Sequence, residues 1–108
     1  MTERRRHPRI PLENMLYVQI VSPSRNLSVV LLDISICGAR IGLPPGEELP
    51  PDDSQVVFKN TSLLAEILEN RTATVMWHVG VQCGVRFVEH LETDLEHIAE
   101  LLQSEIFY

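Results

Sequence analysis

The sequence predicts an all-β-dominated domain: a small barrel of five or six short strands, with one C-terminal α-helix and a flexible N-terminal arm. Three observations predict it. Short runs of β-branched and aromatic residues recur between clusters of Pro, Gly, Ser and Asn. Two of the later runs alternate apolar and polar residues with the period of a strand. From Thr93 onward the apolar residues change to helical spacing. Many short strands from a chain of 108 residues bury their apolar faces by closing on one another, and the helix stripe must lie on that barrel.

The elements follow in order. Residues 1–12 read as an arm, charged and interrupted by Pro8 and Pro11. Residues 14–21 read as a strand, the cluster 22–26 as a turn, and residues 27–33 as a second apolar strand, so the pair forms an antiparallel hairpin. A break over Ser35–Gly38 leads to a third strand at 39–43. Residues 44–54 are an acidic, proline-rich loop, and 55–59 a short strand. Residues 62–70 are ambiguous, because helical local propensity runs directly into the alternating strand 72–79. There Ala73, Val75, Trp77 and Val79 share one face, which places Trp77 in the core. A turn at Gly80 precedes the strand 82–89, with Val85 and Phe87 inward and Arg86 outward. Thr93 and Glu96 form a capping box, and Leu95, Ile98, Ala99, Leu102 and Ile106 make the apolar stripe of a helix over 93–106. The whole of 1–108 is expected to be one domain, with the barrel over 13–90.

Composition excludes several classes. Apolar residues are 44% and charged residues 22% of the chain, as in an ordinary globular domain. No apolar run reaches the ~18 residues that a membrane helix needs, so no membrane insertion is expected. The basic N-terminus has no signal-type apolar segment behind it. Two cysteines, Cys37 and Cys83, are too few for a disulfide framework, which points to a reduced, cytoplasmic protein. Cys37, Cys83, His78 and His90 lack zinc-ligand spacing, and Cys37 and Cys83 read as small buried thiols; no metal, cofactor or catalytic residue is expected. There is no glycine-rich phosphate loop and no legible nucleophile–base arrangement, so no enzyme is expected. His97 falls off the helix stripe and reads as a surface residue.

Charge is distributed unevenly. The net charge is −6. Residues 1–40 carry six arginines and three acids, whereas 41–108 carry three bases and twelve acids. Four of the nine basic residues lie between Arg4 and Arg9. An acidic body repels a long polyanion, so nucleic acid is not an expected partner. A small anion reached by the arm alone fits the pattern.

Two motifs carry chemistry. The first is Arg5-Arg6-His7-Pro8-Arg9, an arginine pair with three residues between. The second is Asp33-Ile34-Ser35-Ile36-Cys37-Gly38. Asp33 and Ser35 are two apart at a strand end, so their side chains are expected to face the same way as a polar ledge. An ionised Asp offers paired acceptors to the N–H donors of a guanine edge, and Ser donates or accepts beside it. Arginine suits phosphate, a guanine O6/N7 edge, or stacking on a base. Gly38 allows a close approach or a positive φ. Either motif alone reads more simply, the arm as a solvated tail and Asp-x-Ser-x-x-Gly as a polar turn ending a strand.

Taken in order along the chain, the motifs resemble the PilZ domain family, bacterial receptors for cyclic di-GMP. Arg5 and Arg9 match the family's arginine motif, Asp33, Ser35 and Gly38 its second motif, and Gly84-Val85-Arg86-Phe87 its closing strand. The resemblance implies a six-stranded antiparallel β-barrel with a C-terminal helix. It implies cyclic di-GMP as ligand, with the arginines on phosphates and guanine edges and Asp33 and Ser35 on a guanine base. Arg4, just before the motif, implies two intercalated nucleotides per chain, and Arg6 offers further phosphate contacts. Trp77 is the remaining candidate, as a ligand wall. A single barrel carries no output domain, so an effector protein is the expected partner, in motility, chemotaxis, surface attachment and biofilm, or polysaccharide export. The alternative is a nucleotide-independent interaction module with the same fold.

Overall fold

The computed structural model describes residues 9–23, 25–48, 50–61 and 64–103. The strands are β1 (Ile10–Val21), β2 (Asn26–Ile34), β3 (Gly38–Gly42), β4 (Gln55–Lys59), β5 (Thr72–Val79) and β6 (Gln82–Phe87). They close into a barrel in the order β1-β2-β3-β6-β5-β4, with every neighbouring pair antiparallel. Among the described residues, closure leaves no sheet edge open to pairing with another chain. The barrel with its C-terminal helix is the architecture expected from the sequence.

The inward residues of all six strands form one core. Val18, Ile20, Val29, Leu31, Ile41, Val56, Phe58, Val75 and Phe87 are among its buried members. Phe58 and Phe87 meet edge to face across the interior, with ring centroids 6.1 Å apart, the arrangement that the ring quadrupoles favour.

Two sequence readings change most. The arm expected over 1–12 gives up its last three residues, because β1 begins at Ile10 and pairs Ile10 with Ile34 and Pro11 with Asp33. Pro11 is tolerated there because the β1–β2 register breaks just after it. Residues 1–8 lie outside the described residues. Later in the chain, the ambiguous stretch resolves to helix α1 (Ala65–Leu68). Local propensity prevails over strand because the excursion is closed on itself. The Glu69 carboxylate accepts from the Thr61 and Asn60 backbone N–H groups and from the Thr61 hydroxyl, and these bonds, the Thr61 amide first, hold its pKa below the ordinary carboxylate value. Arg71 donates to the Ile67 carbonyl at the helix C-terminus. Leu64, Ile67 and Leu68 are thereby pressed into the core.

The C-terminal helix α2 spans Leu95–Gln103. Its cap is Asp94, whose carboxylate accepts from the His97 backbone N–H at 2.8 Å; the box expected on Thr93 gives way to a cap one residue later. Ile98 is fully buried, and Leu95, Leu101 and Leu102 pack against the barrel core. His97 lies at the surface, yet it joins the two helices: its Nε2 is 2.6 Å from Glu66 of α1, and its Nδ1 is 3.7 Å from Glu100.

The Glu66 hydrogen bond raises the His97 pKa above 6.5, with partial burial opposing it and the charges of Glu66 and Glu100 reinforcing it. A raised folded-state pKa stabilises the fold fully below the unfolded value and loses that contribution as pH rises through the folded value. His97 is therefore expected to titrate with a midpoint above 6.5 in an NMR pH series, and Glu66→Gln to bring the midpoint back down. An unchanged midpoint in the variant would remove Glu66 as the cause.

Candidate functional site

Asp33 owes its position to a break in register. Along β2, Leu27, Val29 and Leu31 alternate inward, each no more than 5% exposed. Continued alternation would send Asp33 into the core with them. Instead the pairing shifts between Leu31↔Ile41 and Asp33↔Arg40. β2 takes up one extra residue at Leu32, which turns Asp33 to the outer face and returns Ile34 inward opposite Ala39.

The carboxylate is still only 7% exposed, because two guanidinium groups cover it. Arg9 Nη1 donates to Asp33 Oδ1 at 2.9 Å. Arg40 Nε lies 3.1 Å from Oδ2. That nitrogen is buried and makes no aligned hydrogen bond, so the Arg40 contact is an ion pair without hydrogen-bond geometry. Arg9 reaches the carboxylate because Pro11, two residues on, is the β1 partner of Asp33. Arg9 is thus the described part of the arginine motif that meets the second motif; Arg4, Arg5 and Arg6 lie outside the described residues.

A second register break acts in the same way on β5. Ala73 and Val75 face inward and are fully buried. The pairing with β6 then shifts between Val75↔Val85 and Trp77↔Gly84, with Met76 as the extra residue. Trp77 is turned outward and is 41% exposed, which corrects its expected place in the core; Val79, expected on the same inward face, is 71% exposed. The indole lies flat on β6 at Gly84. A Cβ there would stand 2.3 Å from Trp77 Nε1, so only glycine permits this placement.

The registers align these residues in one row across five strands: Pro11 on β1, Asp33 on β2, Arg40 on β3, Gly84 on β6 and Trp77 on β5. Arg40 is the member that the sequence reading missed. The signal for it was the alternation of β3, where inward Ala39 and Ile41 leave Gly38, Arg40 and Gly42 on the outer face.

Ser35 and Gly38 lie beside this row in a different role from the ledge expected of them. Ser35 is fully buried. Its hydroxyl accepts from the Cys37 and Gly38 backbone N–H groups and donates to the Gly38 carbonyl, all at 3.3 Å, while its own N–H donates to that carbonyl at 2.8 Å. The hydroxyl closes the β2–β3 turn instead of facing outward with Asp33. Gly38 serves a close approach, with the Val85 carbonyl oxygen 2.3 Å from where its Cβ would be.

Other chemistry is limited. Burial pushes the Cys83 thiol up to about 11, with the Asp52 charge adding to it, so it stays a protonated thiol at neutral pH. His78 pairs with Asp52 of the acidic loop at 2.8 Å. Among the described residues no His/Cys/Asp/Glu group could hold a metal ion, and no helix is long and apolar enough to cross a membrane. Two concavities of about 300 and 330 Å³ lie elsewhere, one beside α1 at Glu66–Thr72 and one between the β1–β2 turn and the acidic loop. The Asp33 row lies on the outer face of the barrel.

The model of the PilZ domain family matches residues 3–104. The chain belongs to the PilZ domain family. Among solved structures it is similar to the Bacillus subtilis inhibitor of motility (MotI/DgrA), with a TM-score of 0.61 at 19% identity over 97% of this chain. That likeness is one of fold, and the chain spans 51% of the length of that neighbour. No curated protein matches it. PilZ domains are binding modules, and in this one Arg9 of the arginine motif meets Asp33 of the Asp-x-Ser-x-x-Gly motif.

The PilZ turn of this chain gives a stability prediction. Gly38→Ala drives a methyl group into the backbone of β6, and overpacking of this kind costs about 1–3 kcal/mol. Urea unfolding should show that loss; a midpoint equal to the parent's would mean that β3 and β6 can part without cost.

Proposed function

We propose that this PilZ domain is a receptor for cyclic di-GMP, whose N-terminal arginine arm closes over the nucleotide and so alters the surface offered to an effector protein. The observation that carries the reading is the 2.9 Å contact of Arg9 with Asp33, which joins the arm to the carboxylate. The paired acceptors of Asp33 match the N1–H and N2–H donors of guanine. The same donors can replace those of Arg9, leaving that guanidinium for a phosphate, where bidentate geometry suits it. Trp77, exposed along the same row, offers an indole face for a base. Arg5 and Arg6 supply further cations for the two phosphates. Ser35 and Gly38 act through the turn that holds Asp33 in place.

Ligand binding by this route moves the arm and exchanges a cation-covered patch for a nucleotide-covered one, a change an effector can sense. The described fold neighbour bears the name of an inhibitor of motility, which favours the motility machinery among the effectors expected. The acidic loop and α2 are the surfaces nearest in character to a partner site.

Losing one charged hydrogen bond costs about 1.5–3 kcal/mol, roughly tenfold to 150-fold in affinity. Arg9→Ala and Asp33→Ala are each expected to weaken cyclic di-GMP at least tenfold in a calorimetric titration. If both bind like the parent, the site lies elsewhere. The same titration reads stoichiometry: Arg4, stacked on a second guanine, gives two nucleotides per chain, and saturation at one would reject that role.

A further inference from the structure

The Asp33 carboxylate has two cations on it, and they are not equivalent. Arg9 precedes β1 and comes from the arm. Arg40 sits within β3, in register with Asp33 on one side and with Gly84 on the other. Its backbone is fixed by two ladders, while its side chain remains 42% exposed. Its Nε is a buried donor with no aligned acceptor, a state that costs free energy unless a partner completes it. Beyond Gly84 in the same row lies Trp77. The ordered sequence along the row is therefore acceptor, unsatisfied donor, bare backbone, aromatic face.

We infer that Arg40 is a specificity-determining residue of this site, reading the O6 edge of the guanine whose N1–H and N2–H edge is read by Asp33. The inference rests on the nucleotide reading above and names a residue that neither motif contains. Guanine carries O6 directly beside N1–H. A base that sets its two donors on the Asp33 oxygens therefore brings an acceptor up to whatever stands beside the carboxylate. Arg9 leaves in that exchange, since its place on Oδ1 is taken. Arg40 stays, because an ionised carboxylate has about four lone-pair positions and keeps its ion pair with Arg40 while it accepts from the base. Its guanidinium then meets O6 with donors only. Adenine presents the opposite pattern, an amino group toward Arg40 and an acceptor nitrogen toward Asp33, so the pair rejects it by unpaired groups on both sides. Gly84 belongs to the same device, because a side chain there would lift Trp77 away from the row.

The test uses the full chain with cyclic di-GMP, comparing the parent, Arg40→Ala, Arg40→Lys and Asp33→Ala by calorimetry, with the Arg40 Nε–Hε signal followed by ¹⁵N NMR. Arg40→Ala is expected to lose at least tenfold in affinity. Arg40→Lys should recover part of that loss, since an ammonium still donates to O6. In the parent, saturation should shift the Arg40 Hε signal, which a purely structural role would leave in place. Parent-like affinity in Arg40→Ala beside a weakened Asp33→Ala overturns this inference alone, and so does an unmoved Hε signal. A parent that fails to bind cyclic di-GMP overturns the nucleotide reading itself. Should Arg40→Ala lose its fold by circular dichroism, Arg40→Lys and the Hε shift decide the matter.

Discussion

The constraint on which this structure depends is parity. In a strand, side chains alternate faces, and a domain of this size has an interior only for apolar ones. Asp33 and Trp77 each follow two inward residues at the spacing that would bury them as well. One extra residue in β2, at Leu32, and one in β5, at Met76, reverse the count. Both reversals occur where the strands approach the same row, so a carboxylate and an indole that the alternation assigns to the core come to lie on one outer face. Bulges at such places re-aim side chains and bend the strand locally. Without them the motif residues would have no common surface.

The second consequence is electrostatic. A carboxylate 7% exposed cannot be left bare, because removing one partner of a covered charge exposes the other to an uncompensated desolvation cost. Arg9 and Arg40 meet that requirement in the free chain. Anything that displaces Arg9 must bring donors of its own, in a plane and at a spacing that two carboxylate oxygens accept. On the proposed reading, ligand selection and the exchange of Arg9 off the carboxylate become one step, because a molecule without paired donors leaves Asp33 uncompensated when the arginine departs. The acidic body beyond residue 40 works in the same direction, since it disfavours long polyanions while leaving this cationic row open to a small one.

The fold was legible in the sequence because barrel closure follows from many short alternating runs, and inward Val85 and Phe87 of β6 follow from period two alone. The misassigned side chains of β5 share one cause. Period-two reasoning assumes an unbroken ladder, and no residue type announces a bulge. Trp77 and Val79 were therefore assigned inward with Ala73 and Val75. Arg40 belongs to neither motif, although its outward parity is readable from inward Ala39 and Ile41. The segment 62–70 went to helix as its propensity indicated, and what the sequence could not supply was the Glu69–Thr61 closure that lets a helix interrupt two strands. The Thr93 box failed by one residue because Asp94 is an equally good cap and stands nearer the first buried turn.

Ser35 and Gly38 bear on how a motif should be read. The simpler interpretation of Asp-x-Ser-x-x-Gly, a polar turn that ends a strand, describes these two residues in the free chain: the hydroxyl bonds its own turn, and the glycine admits the β6 backbone. That does not compete with a role for the motif in recognition. The turn fixes where β2 stops and β3 begins, and so fixes which β3 residue stands opposite Asp33. A side chain at position 38 would push β3 off β6 and carry Arg40 out of line with Gly84 and Trp77. The serine and glycine set the register, the aspartate and arginines supply the charge, and the recognition proposed for Asp33 depends on the pairing that the turn imposes.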